Sequence, residues 1–242
     1  MKKAHFLAFL VLILPAIASA QSAEEIIAKH LEATGAANWS KVNSIKMEAT
    51  ISSEAAAGMS IGWTMTALRD KAARMDVSVM GMTQSSAVKD GAGWSNNPFA
   101  GQMDAEPITE DQAKSIMDMT DIDGTLVGYA EKGYTVEYVG TEEVEGVEAV
   151  KIKVNKGGKK VEYVLFDPET YYEIMNIQVD EVDGKEVESK TSYSDFKEQD
   201  GIILPFSMQQ ENPMMGNSTI TLTSITINPK IDMTIFDMPA KK

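Results

Sequence analysis

Acidic side chains are the groups in this chain that are most able to do chemistry. The sequence has 36 Asp and Glu against 22 Lys and Arg. They stand close together at Glu142 and Glu143, at Glu181 and Asp183, and at Asp118, Asp121 and Asp123. A glycosidase needs two carboxylates that face each other across a cleft. Because such neighbours arise by chance in so acidic a chain, we interpret these carboxylates as solvated strand faces and turns.

A partial calcium-loop pattern lies within the last group, at Asp121-Ile122-Asp123-Gly124. A complete loop has a further oxygen ligand before these residues and a Glu after them, and both are missing here. Metal binding is therefore a weak alternative, and we predict no metal site.

Other catalytic side chains are scarce. The chain has no Cys, which excludes thiol nucleophiles, disulfides and thiolate metal sites. Of its two His, His5 lies in an N-terminal leader and His30 falls on a predicted surface helix. No Gly-rich phosphate loop and no Gly-x-Ser-x-Gly motif occur. We therefore predict that the protein is not an enzyme and holds no cofactor.

Arginine occurs only at Arg69 and Arg74, on either side of the predicted turn Asp70-Lys71. We interpret both as exposed hairpin charges. The alternative is that one of them points inward and holds a lid residue or a ligand carbonyl.

Methionine is unusually frequent, with 16 in the chain. Half of them fall in one stretch, at Met59, Met65, Met75, Met80, Met82, Met103, Met117 and Met119. Long, polarizable side chains suit surfaces that repack around ligands of varying shape. These methionines lie near Trp63 and Trp94 in the sequence. The cluster is compatible with an adaptable cavity and, equally, with ordinary core filling.

The segment from Ala23 to Ala33 predicts an amphipathic helix. Ser22 is a suitable N-cap, acidic residues occupy the first turn, and Gly35 ends the helix. A second, shorter helix is predicted from the capping box Thr109-Glu110-Asp111-Gln112 to Met119, after a loop at residues 96–107. Its apolar face holds Ala113, Ile116, Met117 and Thr120, so the helix can lie on a sheet.

Between these helices and after them, apolar residues alternate with polar ones. Strands are predicted at Ile45–Ile51, Ile61–Ala67 and Ala73–Val79. Turn dipeptides such as Asp90-Gly91 and Asp200-Gly201 then separate further strand-like runs. These later strands are predicted at Thr135–Val139, Ala149–Val154, Val161–Phe166, Tyr172–Val179, Val187–Phe196, Ile202–Gln209 and Ser218–Ile227.

Together the elements predict an α+β, mostly β fold: a curved antiparallel meander that forms an incomplete, half-open barrel, with an N-terminal helix and a short helical lid. We expect a single domain at residues 21–242. A cavity closed by movable helices and a fully packed core beneath them are both compatible with this periodicity.

The first twenty residues are typical of a secretory signal peptide. A basic start, an apolar stretch from Phe6 to Leu14 and the sequence Ala18-Ser19-Ala20 predict cleavage after Ala20. Because Gln21, not Cys, is then the first residue, we expect a periplasmic protein that is not lipid-anchored. The net charge of −14 disfavours nucleic acid and anionic lipid headgroups as partners.

The chain resembles the outer-membrane lipoprotein-sorting family of the LolA/LolB carrier superfamily. The resemblance extends from the helix at residues 23–31 through residues 140–149, Phe166-Asp167-Pro168-Glu169-Thr170 and residues 200–206 to Ile227-Asn228-Pro229-Lys230-Ile231-Asp232. It implies a half-open barrel with a helical lid, whose apolar interior shields the acyl chains of lipoproteins from water.

On this resemblance we expect a soluble, monomeric periplasmic carrier of lipoprotein acyl chains or other lipids, with an inner-membrane donor and an outer-membrane acceptor as partners. The alternative is a lipid- or lipoprotein-sensing envelope module without a transport role. The predicted cavity residues are Ile61, Trp63, Met65, Met75, Val77, Val79 and Trp94 on the inner sheet face, and Ile116, Met117 and Met119 on the lid.

Overall fold

The computed structural model describes residues 22–56, 58–158, 160–182, 184–213 and 216–240. The predicted signal peptide and its cleavage site lie outside these residues. The helices are α1 (Ala23–Ala33) and α2 (Glu110–Met117). The strands are β1 (Ser44–Ser53), β2 (Ile61–Leu68), β3 (Ala72–Val79), β4 (Met82–Lys89), β5 (Ala92–Asn97), β6 (Gln102–Pro107), β7 (Thr135–Val144), β8 (Val147–Asn155), β9 (Val161–Phe166), β10 (Glu173–Val182), β11 (Lys185–Gln199), β12 (Ile202–Asn212) and β13 (Gly216–Ile227).

The thirteen strands of the described residues form one antiparallel sheet in the order β6-β5-β4-β3-β2-β1-β13-β12-β11-β10-β9-β8-β7. The sheet consists of two meanders, β1 to β6 and β7 to β13, which are joined where the first and last strands pair. Because β6 and β7 are the two edges, the sheet is not closed, and the predicted mostly-β, half-open barrel is confirmed.

The chain must cross from one edge of the sheet to the other between β6 and β7. It does so with α2, a 3-10 turn at Asp118–Thr120 and the residues that follow as far as Tyr134. We call α2 with its 3-10 turn the lid, and residues 121–134 the crossing segment. The face of the sheet that they cover is the inner face.

Two apolar clusters lie on the inner face. The larger one packs the lid against β1 to β4, β12 and β13, with Ile45, Val88, Ala113 and Leu222 among its buried members. The other packs α1 against β8 and β9. Leu31 of α1 contacts both clusters, so the interior is continuous from the lid to the N-terminal helix.

Both helices begin with a capping box, of which the sequence predicted the one at Thr109 and, at Ser22, the N-cap alone. Ser22 accepts a hydrogen bond from the backbone N–H of Glu25, and Thr109 accepts one from that of Gln112. These bonds satisfy donors that helix starts otherwise leave free. The predicted starts of both helices are therefore confirmed.

The predicted loop at residues 96–107 is wrong in part. Residues Gln102–Pro107 form edge strand β6, which pairs with β5 through Trp94 and Pro107, Ser95 and Glu106, and Asn97 and Gln102. Only Ala105 of this strand is buried. An edge strand that is exposed on both faces has no apolar alternation, so periodicity could not reveal it.

Arg69 connects three parts of the fold. Its guanidinium donates to both carboxylate oxygens of Asp123 in the crossing segment, at 2.6 and 2.5 Å. It also donates to the carbonyl oxygens of Trp39, at 2.8 Å, and Val42, at 2.7 Å. The interpretation of Arg69 as an exposed hairpin charge is therefore wrong. The alternative of an inward arginine is correct in direction, but the partner is Asp123 of the crossing segment and not a lid residue.

Arg74 also has internal partners, but on the other face of the sheet, which we call the outer face. It pairs with Asp76 at 2.9 Å and donates to the carbonyl oxygen of Ile235 at 2.7 Å. Its side chain therefore attaches the C-terminal segment to β3 and is not a free hairpin charge.

We expect Arg69→Met to lower the free energy of unfolding by about 2–4 kcal/mol, because Asp123 would keep a largely buried charge without its partner. The side chains of Arg69 and Asp123 are only 27% and 15% exposed. Urea unfolding followed by tryptophan fluorescence measures the change.

Lys46→Met is the control, since Lys46 and Glu48 form a pair whose side chains are both 43% exposed. Exposed pairs contribute about 0–1 kcal/mol. Equal losses in the two variants would contradict the role assigned to Arg69.

Candidate functional site

Six of the predicted cavity residues share the inner face. Register pairs Ile61 with Val79, Trp63 with Val77, and Met65 with Met75. Directly paired residues of neighbouring strands point to the same side of a sheet. Trp63 and Met65 belong to the cluster that packs under the lid, which identifies this side as the inner one.

The three predicted lid residues also meet this face. Ile116, Met117 and Met119 pack against the same cluster as Trp63 and Met65. Gly93 lets the chain before the lid come close to the sheet, because a Cβ there would lie 2.7 Å from the Cδ1 atom of Ile108. The lid therefore rests directly on the sheet, and this part of the interior is filled.

Trp94 is not on the inner face, so its predicted placement is wrong. It pairs with Ala87, which pairs with Arg74 of the outer face. Its indole Nε1 donates to the carbonyl oxygen of Phe236 at 2.9 Å. Strand β5 is short and has a single large apolar residue. Its sequence therefore has no alternation that would predict which side chains point to the inner face.

A cavity of about 350 Å³ opens elsewhere on the inner face, between α1 and strands β9 to β12. Its roof includes His30 and Leu31 of α1, Trp39, and residues Thr125 to Val127 of the crossing segment. None of the ten predicted residues lines it. We call this space the α1 cavity.

The floor of the α1 cavity is polar. Glu162 of β9 and Asn176 of β10 are 4% and 6% exposed. The Asn176 amide Nδ2 donates to Glu162 and also to Glu173 Oε1, the latter at 3.1 Å. One amide group thus bridges two carboxyl groups.

Within the described residues, Glu162 is the one of these two carboxyl groups that forms an ion pair. Lys156 forms an ion pair with Glu162, and the Thr125 hydroxyl donates to the same carboxylate at 3.2 Å. Burial, together with the nearby charge of Glu162, raises the pKa of Glu173 to about 7. Glu173 is therefore close to half protonated at neutral pH.

Tyr193 and His30 complete the polar surroundings. Burial raises the pKa of the Tyr193 hydroxyl well above its ordinary value, and Glu173 and Glu162 act in the same direction. Burial lowers the pKa of His30, whose Nδ1 lies 2.8 Å from the carbonyl oxygen of Tyr171. Both side chains are thus neutral at pH 7, and Nδ1 carries the imidazole proton if it donates to that carbonyl.

Sequence reasoning missed this site for two reasons. Glu162 lies on the same face of β9 as Val164 and Phe166, which are buried in the cluster under α1. A carboxylate on the buried face of a strand indicates a polar site, so Glu162 could have been predicted from the sequence. Glu173 could not be found in this way. A register irregularity between Glu173 and Met175 turns Glu173 to the same side as Asn176, against simple alternation.

The carboxylates of the partial calcium pattern have other partners. Asp121 accepts two hydrogen bonds of 2.7 Å from Lys132, and Asp123 is held by Arg69. Among the residues that the structure describes, no group of three His, Asp or Glu side chains is placed to hold a metal ion. The same part of the chain contains no helix with the length and apolarity needed to cross a membrane.

Comparison with known proteins identifies the fold. No protein-family model and no curated protein sequence matches the chain. Among solved structures, a LolA superfamily protein from Nitrosomonas europaea is 10% identical, with 90% of this chain and 98% of that chain covered and a TM-score of 0.56.

Two further structures are similar to the same degree. One, described as an outer membrane lipoprotein-sorting protein domain from Vibrio parahaemolyticus, is 9% identical over 89% of this chain and 97% of its own, with a TM-score of 0.56. The other, a DUF1329 family protein from Desulfovibrio piger, is 13% identical over 90% and 98%, with a TM-score of 0.58. The resemblance predicted from sequence is thus confirmed for the fold.

The raised pKa of Glu173 predicts how stability changes with pH. A carboxyl group that binds its proton more tightly in the folded state stabilises that state below its unfolded pKa, and this contribution is lost as pH rises through about 7. Glu173→Gln should therefore raise the free energy of unfolding at pH 8 by about 1–3 kcal/mol, with no gain below about pH 4.5. Urea unfolding at several pH values measures this.

Glu198→Gln is the matched control, because Glu198 is exposed on β11. A pH-independent difference between wild type and Glu173→Gln would contradict the assignment of a raised pKa.

Proposed function

We propose that this protein is a periplasmic carrier that binds the acyl chains of lipoproteins or other lipids on the inner face of its half-barrel, under the lid, and passes them towards the outer membrane. The observation that carries the proposal is the wide apolar inner face. The lid that covers it is short and packs on the sheet through side chains, without being part of the strand ladder. The solved structures with a similar fold include a LolA superfamily protein and a lipoprotein-sorting protein domain.

The inner face offers apolar side chains across several strands. One row runs through Val79, Ile61, Ile51, Ile220 and Met208. A second, parallel row is formed by Met75, Met65, Met47 and Ile225. Burying an acyl chain on such a face gains about 0.8 kcal/mol per CH₂ and requires little sequence specificity.

The lid is suited to move. Helix α2 has 8 residues, and isolated helices below about 12 residues are marginal in water, so its stability depends on packing. An acyl chain that replaces Ile116, Met117 and Met119 on the sheet would restore the same apolar contacts. Displacing the lid breaks no hydrogen bond of the sheet ladder.

One end of the sheet provides a surface for contact with lipid. The β1–β2, β3–β4 and β5–β6 connections lie at the same end, because neighbouring strands alternate in direction. These connections and the strand residues beside them expose Met59, Met80, Met82, Phe99 and Met103, which we call the methionine rim. Met80 is 84% exposed and Met103 69%.

The methionine rim is also nearly free of charge. The three connections contain one charged residue, Glu54, in a chain of net charge −14. Exposed apolar patches with this character are typical of protein or membrane contact sites. We infer that the rim approaches the membrane or an acceptor when cargo leaves.

Cargo is tested first by mass spectrometry of organic extracts from the natively purified protein, with displacement of a fluorescent fatty acid as the binding assay. Met75→Glu should weaken fatty-acid binding at least tenfold, because a carboxylate would stand on the inner face. Absence of extractable lipid together with no fatty-acid binding would exclude the carrier function.

Met175→Glu is the matched control for this variant. Met175 lies in the apolar cluster of the outer face, packed against Val144, Ala149, Leu165 and Ile177. The Met175→Glu variant should bind fatty acid as the wild-type protein does. Circular dichroism checks that both variants are folded. Equal weakening in both would remove the inner face as the binding surface.

The rim is tested by transfer of the fluorescent fatty acid to lipid vesicles. We expect the double variant Met80→Ser, Met103→Ser to bind fatty acid normally and to transfer it several-fold more slowly. Met238→Ser is the control, since Met238 is 48% exposed but follows Asp237, which binds Lys89 at the other end of β4. Unchanged transfer in the double variant would remove the rim from the mechanism.

A further inference from the structure

The α1 cavity is separate from the apolar surface to which we assign acyl chains. Its floor is built from Glu162, Glu173 and Asn176, and Tyr193 stands beside them. An acyl chain gains nothing from such a floor, since burying unpaired polar groups costs free energy. The cavity therefore calls for a ligand of different chemistry.

The charges on the floor do not balance. Among the described residues, the two carboxyl groups of the floor have one ion-paired cation between them, Lys156, which binds Glu162. The nearby Asp123 at the cavity wall is already paired with Arg69. Glu173 has the Asn176 amide as its hydrogen-bond partner but no salt bridge within the described part of the chain. The site is short of one positive charge when Glu173 is ionised.

A hydrogen-bond acceptor on the floor is also unsatisfied. Asn176 is 6% exposed, and its Oδ1 is the buried side-chain atom that accepts no hydrogen bond from the residues described. Because Nδ2 of the same amide donates to both carboxyl groups, Oδ1 cannot be relieved by a flip of the amide. A donor supplied by a ligand would satisfy it.

The walls of the cavity are apolar and aromatic. Leu31, Leu126, Leu204 and Phe196 line it together with the Tyr193 ring. Aliphatic chains pack on such walls, and aromatic faces attract cations. Anions are disfavoured, because they would meet the carboxyl groups of the floor.

We propose that the α1 cavity binds an aliphatic primary ammonium group, which donates to the Glu173 carboxylate and to Asn176 Oδ1 while its alkyl chain packs against Leu31, Leu126 and Leu204. An ammonium group has three donors and one charge, which are what the floor lacks. A neutral alcohol would satisfy Asn176 Oδ1 but would leave the charge unbalanced.

The proposal predicts that binding releases a proton. Glu173 faces Glu162 and Asn176. The other titratable or charged groups around the cavity are Lys156, Tyr193, His30 and Asp123, the last of which is paired with Arg69. Its pKa of about 7 means that, below neutral pH, the ammonium group must replace the proton of Glu173. Affinity should rise about tenfold between pH 6 and pH 8 and then stay level until the amine itself deprotonates near its ordinary pKa.

The test is isothermal titration calorimetry of the full-length mature protein with n-hexylamine, n-hexanol and n-hexanoate. We expect one hexylamine site, a tenfold tighter Kd at pH 8 than at pH 6, and release of nearly one proton at pH 6, measured from buffers of different ionisation enthalpy. Hexanol and hexanoate should bind at least tenfold more weakly.

Variants assign the effect to Glu173. Glu173→Gln should weaken hexylamine binding at least tenfold and abolish its pH dependence, while Glu198→Gln on the exposed part of β11 should behave as wild type. Because Glu173→Gln removes a buried charge, it is expected to remain folded, which thermal unfolding checks. Hexanol binding as tight as that of hexylamine, the absence of proton release, or an unchanged Glu173→Gln would each overturn the proposal.

This proposal does not depend on the acyl-carrier function. Fatty-acid binding is assigned to the face under the lid and is tested with Met75→Glu. Met75 does not line the α1 cavity. Loss of one ligand without the other therefore identifies which of the two assignments has failed.

Discussion

The pairing of β1 with β13 is the constraint on which the rest of the structure depends. It places the first and last strands side by side in the middle of the sheet, so that β6 and β7 become edges. The chain between these edges has to cross the inner face, and that crossing supplies the lid, the Asp123 carboxylate that Arg69 holds, and the roof of the α1 cavity. A simple meander in chain order would have put β6 beside β7 and would have left the face without a cover.

The inner face therefore has two chemically different regions. Under the lid it is apolar, with methionine and isoleucine side chains from the central strands. Under α1 it is polar at its centre, where Glu162, Asn176 and Glu173 meet. Leu31 contacts the apolar clusters on both sides of this boundary. A single curved sheet thus presents two surfaces of different chemistry on one face.

Much of this architecture could be predicted from local patterns. Helix α1, the capping box of α2 and the antiparallel strands follow from periodicity and turn residues, and the inner phase of β2 and β3 follows from Ile61 to Val79. Long-range choices could not be predicted in this way. The edge strand β6 has no alternation, the phase of Trp94 depends on its neighbours in the sheet, and Glu173 reaches the cavity through a register irregularity. The charge partners of Arg69 come from distant parts of the chain, which no local pattern contains.

The central pairing also sets the order in which the chain can fold. Each half of the sheet is built from hairpins between neighbouring strands, which form from contacts close in sequence. The partners in the middle are far apart, since Ile45 pairs with Ile227. Until β13 is made, β1 presents an open row of backbone donors and acceptors, which is a surface prone to pairing with other chains. The last strand is therefore the element that turns two half-sheets into one protein, and the chain is most vulnerable to aggregation just before it arrives.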